Sequence, residues 1–341
     1  MNKELYIRTD ANSVLGIGHV MRCKTIAEEW IKAGGICTFL VADEESSQVV
    51  QQMGFSSICL HGRWNYLEHE TQALLSCIKK HQIKRLFIDS YYVSPTYLSS
   101  LNSLTKIIYM GPANEQLHPV DMLINYNIAV DADWYNTTYG ENVIKLLGCN
   151  YFPLRQEFKN SQITIHSSVK NLLIMTGGSD ACHMALQLSN LLLQHTNFTL
   201  HVVIGAFNPD REPLQHIQET NPRLHLYQNV QNMAELMMKC DIAISAGGVT
   251  LYELCACGLP AITYAFADNQ LGSIQEFKRQ NLMESIGDIR TQDTDVWQAS
   301  LMKILNMYQD NNTRKQMADK IKDLVDGDGA KRIVESILLH C

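Results

Sequence analysis

Short apolar runs recur along the chain, separated by stretches in which apolar residues return every three or four positions. Leu5 to Ile7, Cys37 to Ala42, Ile58 to Leu60, Leu86 to Asp89, Ile107 to Met110 and Met122 to Asn125 read as strands, being too short for helices and apolar at consecutive positions. Val20 to Trp30, Tyr66 to His81 and Thr96 to Leu104 read as the helices between them. Buried strands linked through helices run parallel, so this half predicts an open α/β sheet. The rhythm restarts with a strand over Asn171 to Met175, a helix over Ala181 to His195 and a strand over Leu200 to Ile204. A strand over Asp241 to Ser245, a helix ending at Cys257 and a strand over Pro260 to Tyr264 follow. Asn312 to Cys341 reads as two helices broken near Gly327-Asp328-Gly329.

Two α/β halves in 341 residues imply two domains, since one hydrophobic core rarely serves a chain of that length. The polar region from Pro153 to Ser168 places their boundary, giving domains 1–155 and 156–341, with the last helix packing back on the first domain. Open sheets bind ligands beyond the carboxyl ends of their strands, so the two domains are expected to face each other across a cleft. Hydrophobic residues at 46% and charged residues at 18% describe a globular chain. A net charge of -7 argues against nucleic acid or an anionic membrane as partner. No apolar run approaches about 18 residues and no leader pattern opens the chain, so a cytoplasmic protein, without membrane insertion and monomeric, is expected.

Ten cysteines contain no C-x-x-C pair, and twelve histidines contain no paired ligand spacing. Reduced thiols are expected, with Cys255 and Cys257 packed inside a helix, and neither a metal nor a cofactor is expected. The sequons at Asn136, Asn197 and Asn311 read as chance matches.

Three strand-to-helix turns carry glycine: Gly16-Ile17-Gly18, Gly177-Gly178-Ser179 and Ala246-Gly247-Gly248-Val249-Thr250. Each can aim backbone N–H groups at an anion, because glycine permits close approach and a helix N-terminus favours negative charge. A dinucleotide fingerprint fits poorly, since about six residues separate the first strand from Gly16 and Met21 stands where a third glycine belongs. No glycine turn is followed by Lys-Ser or Lys-Thr, so there is no P-loop. A nucleoside diphosphate held by the second domain fits better: Gly247, Gly248 and Thr250 at the pyrophosphate, Gly178 beside it and Glu253 at the ribose. Gly18 then makes room for the sugar and sets His19 in the first turn of a helix. Asp10 and Asn12 are either loop-closing residues or substrate contacts, Asn12 being able to position a water. Arg22 is either a substrate phosphate contact or a surface charge, and Tyr91, following a buried strand that ends in Asp89, reads as a residue lining a cleft.

Together, Arg8-Thr9-Asp10-Ala11-Asn12, Gly16-Ile17-Gly18-His19-Val20-Met21-Arg22-Cys23, Ile88-Asp89-Ser90-Tyr91, Leu123-Ile124-Asn125, Leu154-Arg155-Gln156-Glu157-Phe158, Gly177-Gly178-Ser179-Asp180 and the span 245–270 resemble the UDP-sugar hydrolases of pseudaminic acid biosynthesis. The resemblance runs in order over residues 4–275. It implies a GT-B fold of two Rossmann-like domains and metal-independent release of UDP from UDP-2,4-diacetamido-2,4,6-trideoxy-β-L-altropyranose. It also implies His19 as catalytic base, Tyr91 as an active-site tyrosine and Asn269, of the Asn269-Gln270 pair, at the sugar. The family's Asp-Asp pair after the strand at Ile107 to Met110 is replaced here by Gly111-Pro112-Ala113, which bears on the identity of the sugar.

UDP departs as an anion that needs electrostatic stabilisation, whereas water needs a base. A helix N-terminus disfavours imidazolium, so His19 is expected to be neutral and to accept the proton of a water attacking the anomeric carbon with inversion. The competing readings are a GT-B glycosyltransferase, a hydrolysing UDP-sugar 2-epimerase and a nucleotide-sugar-binding regulatory protein.

Overall fold

A computed structural model describes residues 3–12, 14–112, 119–178, 180–205 and 208–341, and its backbone divides into two units, residues 1–153 with 328–341 and residues 154–327. In the first, β1 (Glu4–Arg8), α1 (Gly18–Lys32), β2 (Ile36–Val41), α2 (Glu44–Gln52) and β3 (Ser56–Cys59) are followed by α3 (Thr71–His81), β4 (Arg85–Ile88) and α4 (Pro95–Ser99). Then come β5 (Lys106–Met110), β6 (Met122–Asn125), α5 (Ala132–Thr138) and β7 (Ile144–Leu147). All seven strands pair in parallel, in the order β3-β2-β1-β4-β5-β6-β7.

Both faces of this sheet are covered, which is why its central strands read as continuous apolar runs. One face packs Leu5, Ile7, Phe39 and Phe87 against α1, whose Val20, Cys23, Ile26, Ala27 and Trp30 repeat at helical spacing and are buried. The other packs Leu40, Leu86, Ile88 and Leu123 against Leu74, Ile78, Tyr97 and Tyr135.

The second unit contains β8 (Asn171–Met175), α6 (Met184–His195), β9 (Thr199–Val203), α7 (Arg211–Thr220), β10 (Leu224–Tyr227) and α8 (Met233–Met238). It continues through β11 (Ile242–Ala246), α9 (Thr250–Cys257), β12 (Ala261–Ala265), α10 (Asp268–Arg279), β13 (Glu284–Asp288), α11 (Thr294–Met307) and α12 (Asn311–Ile321). Its six parallel strands run β10-β9-β8-β11-β12-β13, the doubly wound order, in which the winding direction reverses between β8 and β11. The last helix, α13 (Gly329–His340), belongs to the first unit, where Ile333, Val334 and Ile337 join the core against α1.

Three strands escaped the apolar-run reading: β7, β10 and β13, each at the edge of its sheet. Some helices begin later than their periodicity suggested. The 66–81 segment opens with a 3-10 turn at Leu67–Glu70, and α6 starts at Met184 because Asp180 and His183 adopt left-handed backbone. All ten cysteines are free, and Cys255 and Cys257 are buried in α9 as packing residues. Among the described residues no helix is long and apolar enough to cross a membrane.

Candidate active site

In each sheet the winding direction reverses between two neighbouring strands, β1 and β4 in the first unit, β8 and β11 in the second. Crossovers leaving such neighbours go to opposite faces and open a crevice at the strands' carboxyl ends. The motif residues come from the loops there: His19 follows β1, Asp89 and Tyr91 follow β4, Gly178 follows β8 and Gly247 follows β11.

The β1–α1 loop is closed on itself. Asn12 accepts from the backbone N–H groups of Val14 and Leu15 at 3.0 and 2.9 Å, and Gly16 N–H donates to the Asn12 carbonyl at 2.8 Å. Gly16 has φ +70°, a left-handed turn that glycine adopts without cost. The loop is pinned from outside by Ser46, whose hydroxyl bonds both backbone groups of Ala11. Asn12 is thus the loop-closing residue: its carboxamide oxygen is spent on the turn, while its Nδ2 is buried without a protein partner among the described residues. Gly18 begins α1, which has no side-chain cap on its first amides, and His19 is its second residue.

His19 Nδ1 lies 2.9 Å from Asp89 Oδ1. Arg22, one turn along α1, donates from Nε to Asp89 Oδ2 at 2.6 Å, from Nη2 to Oδ1, and from Nη1 to the Tyr126 hydroxyl at 2.8 Å. The Cys23 thiol donates to Oδ2 at 3.3 Å. Arg22 is not a surface charge, a correction to that one of the two sequence readings. It is buried, all three guanidinium nitrogens are engaged, and its charge neutralises Asp89. Burial alone would raise the Asp89 carboxyl, but the Arg22 guanidinium and His19 imidazole outweigh it and hold that carboxyl well below the usual carboxylate range. Arg22 Nη2 also lies 2.9 Å from His19 Nδ1, so two nitrogens converge on Oδ1. The carboxylate is the stronger acceptor, which assigns the imidazole proton to Nδ1 and leaves Nε2 as the accepting nitrogen.

Tyr91 packs edge-on against the His19 ring, centroids 4.6 Å apart, and its own ring is 47% exposed. It therefore covers an imidazole that is 6% exposed. Asp10 is turned inward: Oδ2 meets Arg8 Nη1 at 2.6 Å and Oδ1 accepts from Ala42 N–H at 2.7 Å. Arg8 in turn holds Glu70, at 2.5 Å from Nε and 2.8 Å from Nη2, and Tyr97 donates to Glu70 at 2.9 Å. Asp10 thus braces the end of β1 to the residue after β2, with both its oxygens committed at the sheet edge.

In the second unit the two glycine turns differ. At the N-terminus of α6, Asp180 accepts from Met184 and Ala185 N–H at 2.9 Å each, so a carboxylate already occupies that helix end. Gly178 borders this filled turn; Ser179, the hydroxyl of that motif, lies outside the described residues, as does Ala113. The N-terminus of α9 has no side-chain cap. There the Gly247 and Gly248 amides donate to the Tyr264 and Ala246 carbonyls at 2.9 and 2.8 Å, so both already have backbone acceptors. Gly247 is also required by close packing: a Cβ would sit 2.5 Å from Ile274 Cγ2 and 3.1 Å from Gln270 Cβ, whereas one on Gly248 would meet open space. Thr250 opens α9 and is half-buried.

Glu253 is buried one turn further on, and Arg155 Nε donates to it at 2.9 Å while Arg155 Nη1 meets Glu157 at 2.8 Å. Burial pushes the Glu253 carboxyl up, against the opposing pull of Arg155. Gln270 is buried and accepts from Phe266 N–H at 2.9 Å, tying the loop before α10 to its first turn, and Asn269 beside it is exposed. Periodicity could not reveal the Asp89–Arg22 and Arg155–Glu253 pairs, because their partners lie 67 and 98 residues apart.

Residues 172–333 match the glycosyltransferase family 28 C-terminal domain. Over 279 residues, 76% of this chain and 75% of the relative, the sequence is 31% identical to the UDP-N-acetylglucosamine–N-acetylmuramyl-(pentapeptide) pyrophosphoryl-undecaprenol N-acetylglucosamine transferase of a Helicobacter pylori strain. It is 23% identical over 251 residues, 72% of this chain and 86% of the relative, to the UDP-2,4-diacetamido-2,4,6-trideoxy-β-L-altropyranose hydrolase of Campylobacter jejuni. An uncharacterized protein of Methanocaldococcus jannaschii is 26% identical over 76% of this chain, which spans only 55% of that relative's length. The crystal structure of Acinetobacter baumannii MurG superposes with a TM-score of 0.71 at 14% identity, covering 98% of this chain and 99% of the other. With two parallel-sheet units in the GT-B arrangement of strands and these relatives, the chain belongs to the glycosyltransferase family 28 group of nucleotide-sugar enzymes.

Proposed function

We propose that this enzyme is a metal-independent hydrolase that releases UDP from UDP-2,4-diacetamido-2,4,6-trideoxy-β-L-altropyranose or a close nucleotide sugar. The observation that carries the reading is the His19–Asp89–Arg22 network. An imidazole whose Nδ1 is held by a buried carboxylate presents Nε2 as a general base. Water attacks the anomeric carbon with inversion, its proton passes to Nε2, and the C1–O bond breaks with its electron pair leaving on UDP. The developing imidazolium is stabilised by Asp89, while Arg22 keeps that carboxylate ionised and fixed.

In this reading the second unit holds the nucleotide. The uncapped start of α9 with Thr250 receives the pyrophosphate, Gly248 lets it approach, and Gly178 lies alongside. Glu253, oriented by Arg155, meets the ribose, and Asn269, beside the buried Gln270 that bonds Phe266 N–H, is the second unit's candidate for a sugar contact. Tyr91 and Gly18 flank the sugar at the imidazole, and Asn12 Nδ2 is the donor available to orient the water.

The second reading is a transferase in which His19 deprotonates a carbohydrate hydroxyl; the 31% identity to the Helicobacter pylori transferase favours it. UDP release from the nucleotide sugar with no acceptor present separates the two. Hydrolysis predicts stoichiometric UDP and free sugar, whereas a transferase leaves the nucleotide sugar intact until an acceptor is added.

A further inference from the structure

We propose that Glu44, Cys59 and His61 form a binding site for a divalent transition metal of the zinc class, using none of the residues around His19. Their ligand atoms lie within 4.8 Å of one another, and Cys59 Sγ is 3.4 Å from His61 Nδ1. The three come together through the sheet: Glu44 opens α2 just after β2, Cys59 ends β3 opposite Val41, and His61 follows two residues later.

Exposed carboxylates often meet without binding an ion, but this set has one thiol, one imidazole and one carboxylate. Sulfur and imidazole nitrogen select zinc and its neighbours over magnesium or calcium, which take oxygen ligands. Three protein ligands leave a fourth tetrahedral position for water. Bonds of about 2.0–2.3 Å place tetrahedral ligand atoms roughly 3.3–3.7 Å apart, so side-chain rotations of about 1 Å complete the site. The thiol proton goes to solvent as the metal–sulfur bond forms.

The backbone beneath the ligands is already held. Leu60 N–H donates to the Val41 carbonyl and Gly62 N–H to the Ala42 carbonyl, both at 2.8 Å. Gly62 lies against Glu70, with room for no Cβ (2.5 Å to Oε2), and Glu70 is locked on Arg8. Between these anchors His61 has φ +52°, a conformation that costs a non-glycine residue energy. On the other side, Asp43 accepts from Ser46 N–H at 2.8 Å and fixes the start of α2 that carries Glu44.

The test is titration of the full-length, chelator-treated protein with Co²⁺ alone, followed by absorbance, and then competition with Zn²⁺. The proposal expects a thiolate-to-cobalt charge-transfer band and tetrahedral d–d bands saturating at one equivalent, both displaced by Zn²⁺. Cys59→Ser removes the charge-transfer band, and His61→Asn, which tolerates the left-handed backbone, weakens Zn²⁺ binding at least ~10-fold. No thiolate band in the parent protein, or a band that survives Cys59→Ser, overturns the proposal. If Cys59→Ser does not fold, unchanged Zn²⁺ affinity in His61→Asn overturns it equally.

Discussion

Asp89 accepts from an imidazole, a guanidinium and a thiol at once, so removing its charge leaves Arg22 buried beside nothing negative. Asp89→Asn is expected to destabilise the protein by about 3–5 kcal/mol at pH 7, as measured by urea unfolding. The sign of its pH dependence follows from the depressed carboxyl. A group whose folded-state value lies below its unfolded value stabilises fully above the unfolded value, near pH 4, and loses that contribution as pH falls toward the folded one. The gap between parent and variant should therefore narrow below about pH 4 and stay constant above it. A gap that widens in acid contradicts this account of the pair. His19→Asn removes only the accepting nitrogen, so kcat should fall by at least about 100-fold while UDP affinity, read by calorimetry, is unchanged.

At the scale of elements, the α9–α10 corner depends on one missing Cβ. Gly247→Ala forces a methyl into Ile274 and Gln270 and should cost about 1–3 kcal/mol, whereas Gly248→Ala meets open space and should leave the melting temperature unmoved. Equal melting temperatures for the two variants would remove the packing role given to Gly247. The same scale explains what the chain disclosed before its structure. Strands buried on both faces, such as β1, β5, β8 and β11, announce themselves as apolar runs. The edge strands β7, β10 and β13 carry Lys145, His225 and Glu284 among their few residues, and their polar positions hide them. His19 and the glycine turns were legible because a strand–glycine–helix junction is local. Asp89 as the partner of His19, the inward turn of Asp10, and the meeting of Glu44 with Cys59 and His61 depend on strand order, which spacing along the chain does not encode.

For the whole molecule, the chain leaves its first unit at Pro153 and returns to it at Asp328, so that unit is completed only when the last helix arrives. Ile333, Val334 and Ile337 cover Val20, Ile26 and Trp30 on the α1 side of the sheet. Each fully buried side chain of this kind contributes about 1.5–3 kcal/mol, so ending the chain after residue 327 removes on the order of 5 kcal/mol, comparable to the stability of a domain. That truncation should abolish amide-exchange protection in β1 and α1 while β8 and β11 remain protected. Protection retained in α1 would show that α13 is dispensable.

The proposal that His19 acts as a base toward water, with UDP held by the second unit as leaving group, is tested most directly by turnover in ¹⁸O-water. UDP-2,4-diacetamido-2,4,6-trideoxy-β-L-altropyranose is supplied without an acceptor, and the products are read by mass spectrometry and by NMR of the first-formed anomer. The account predicts UDP without label, a free sugar carrying one ¹⁸O at C1, inverted configuration, and loss of all three signals in His19→Asn. Label in UDP, retained configuration, or turnover undiminished in His19→Asn would contradict it.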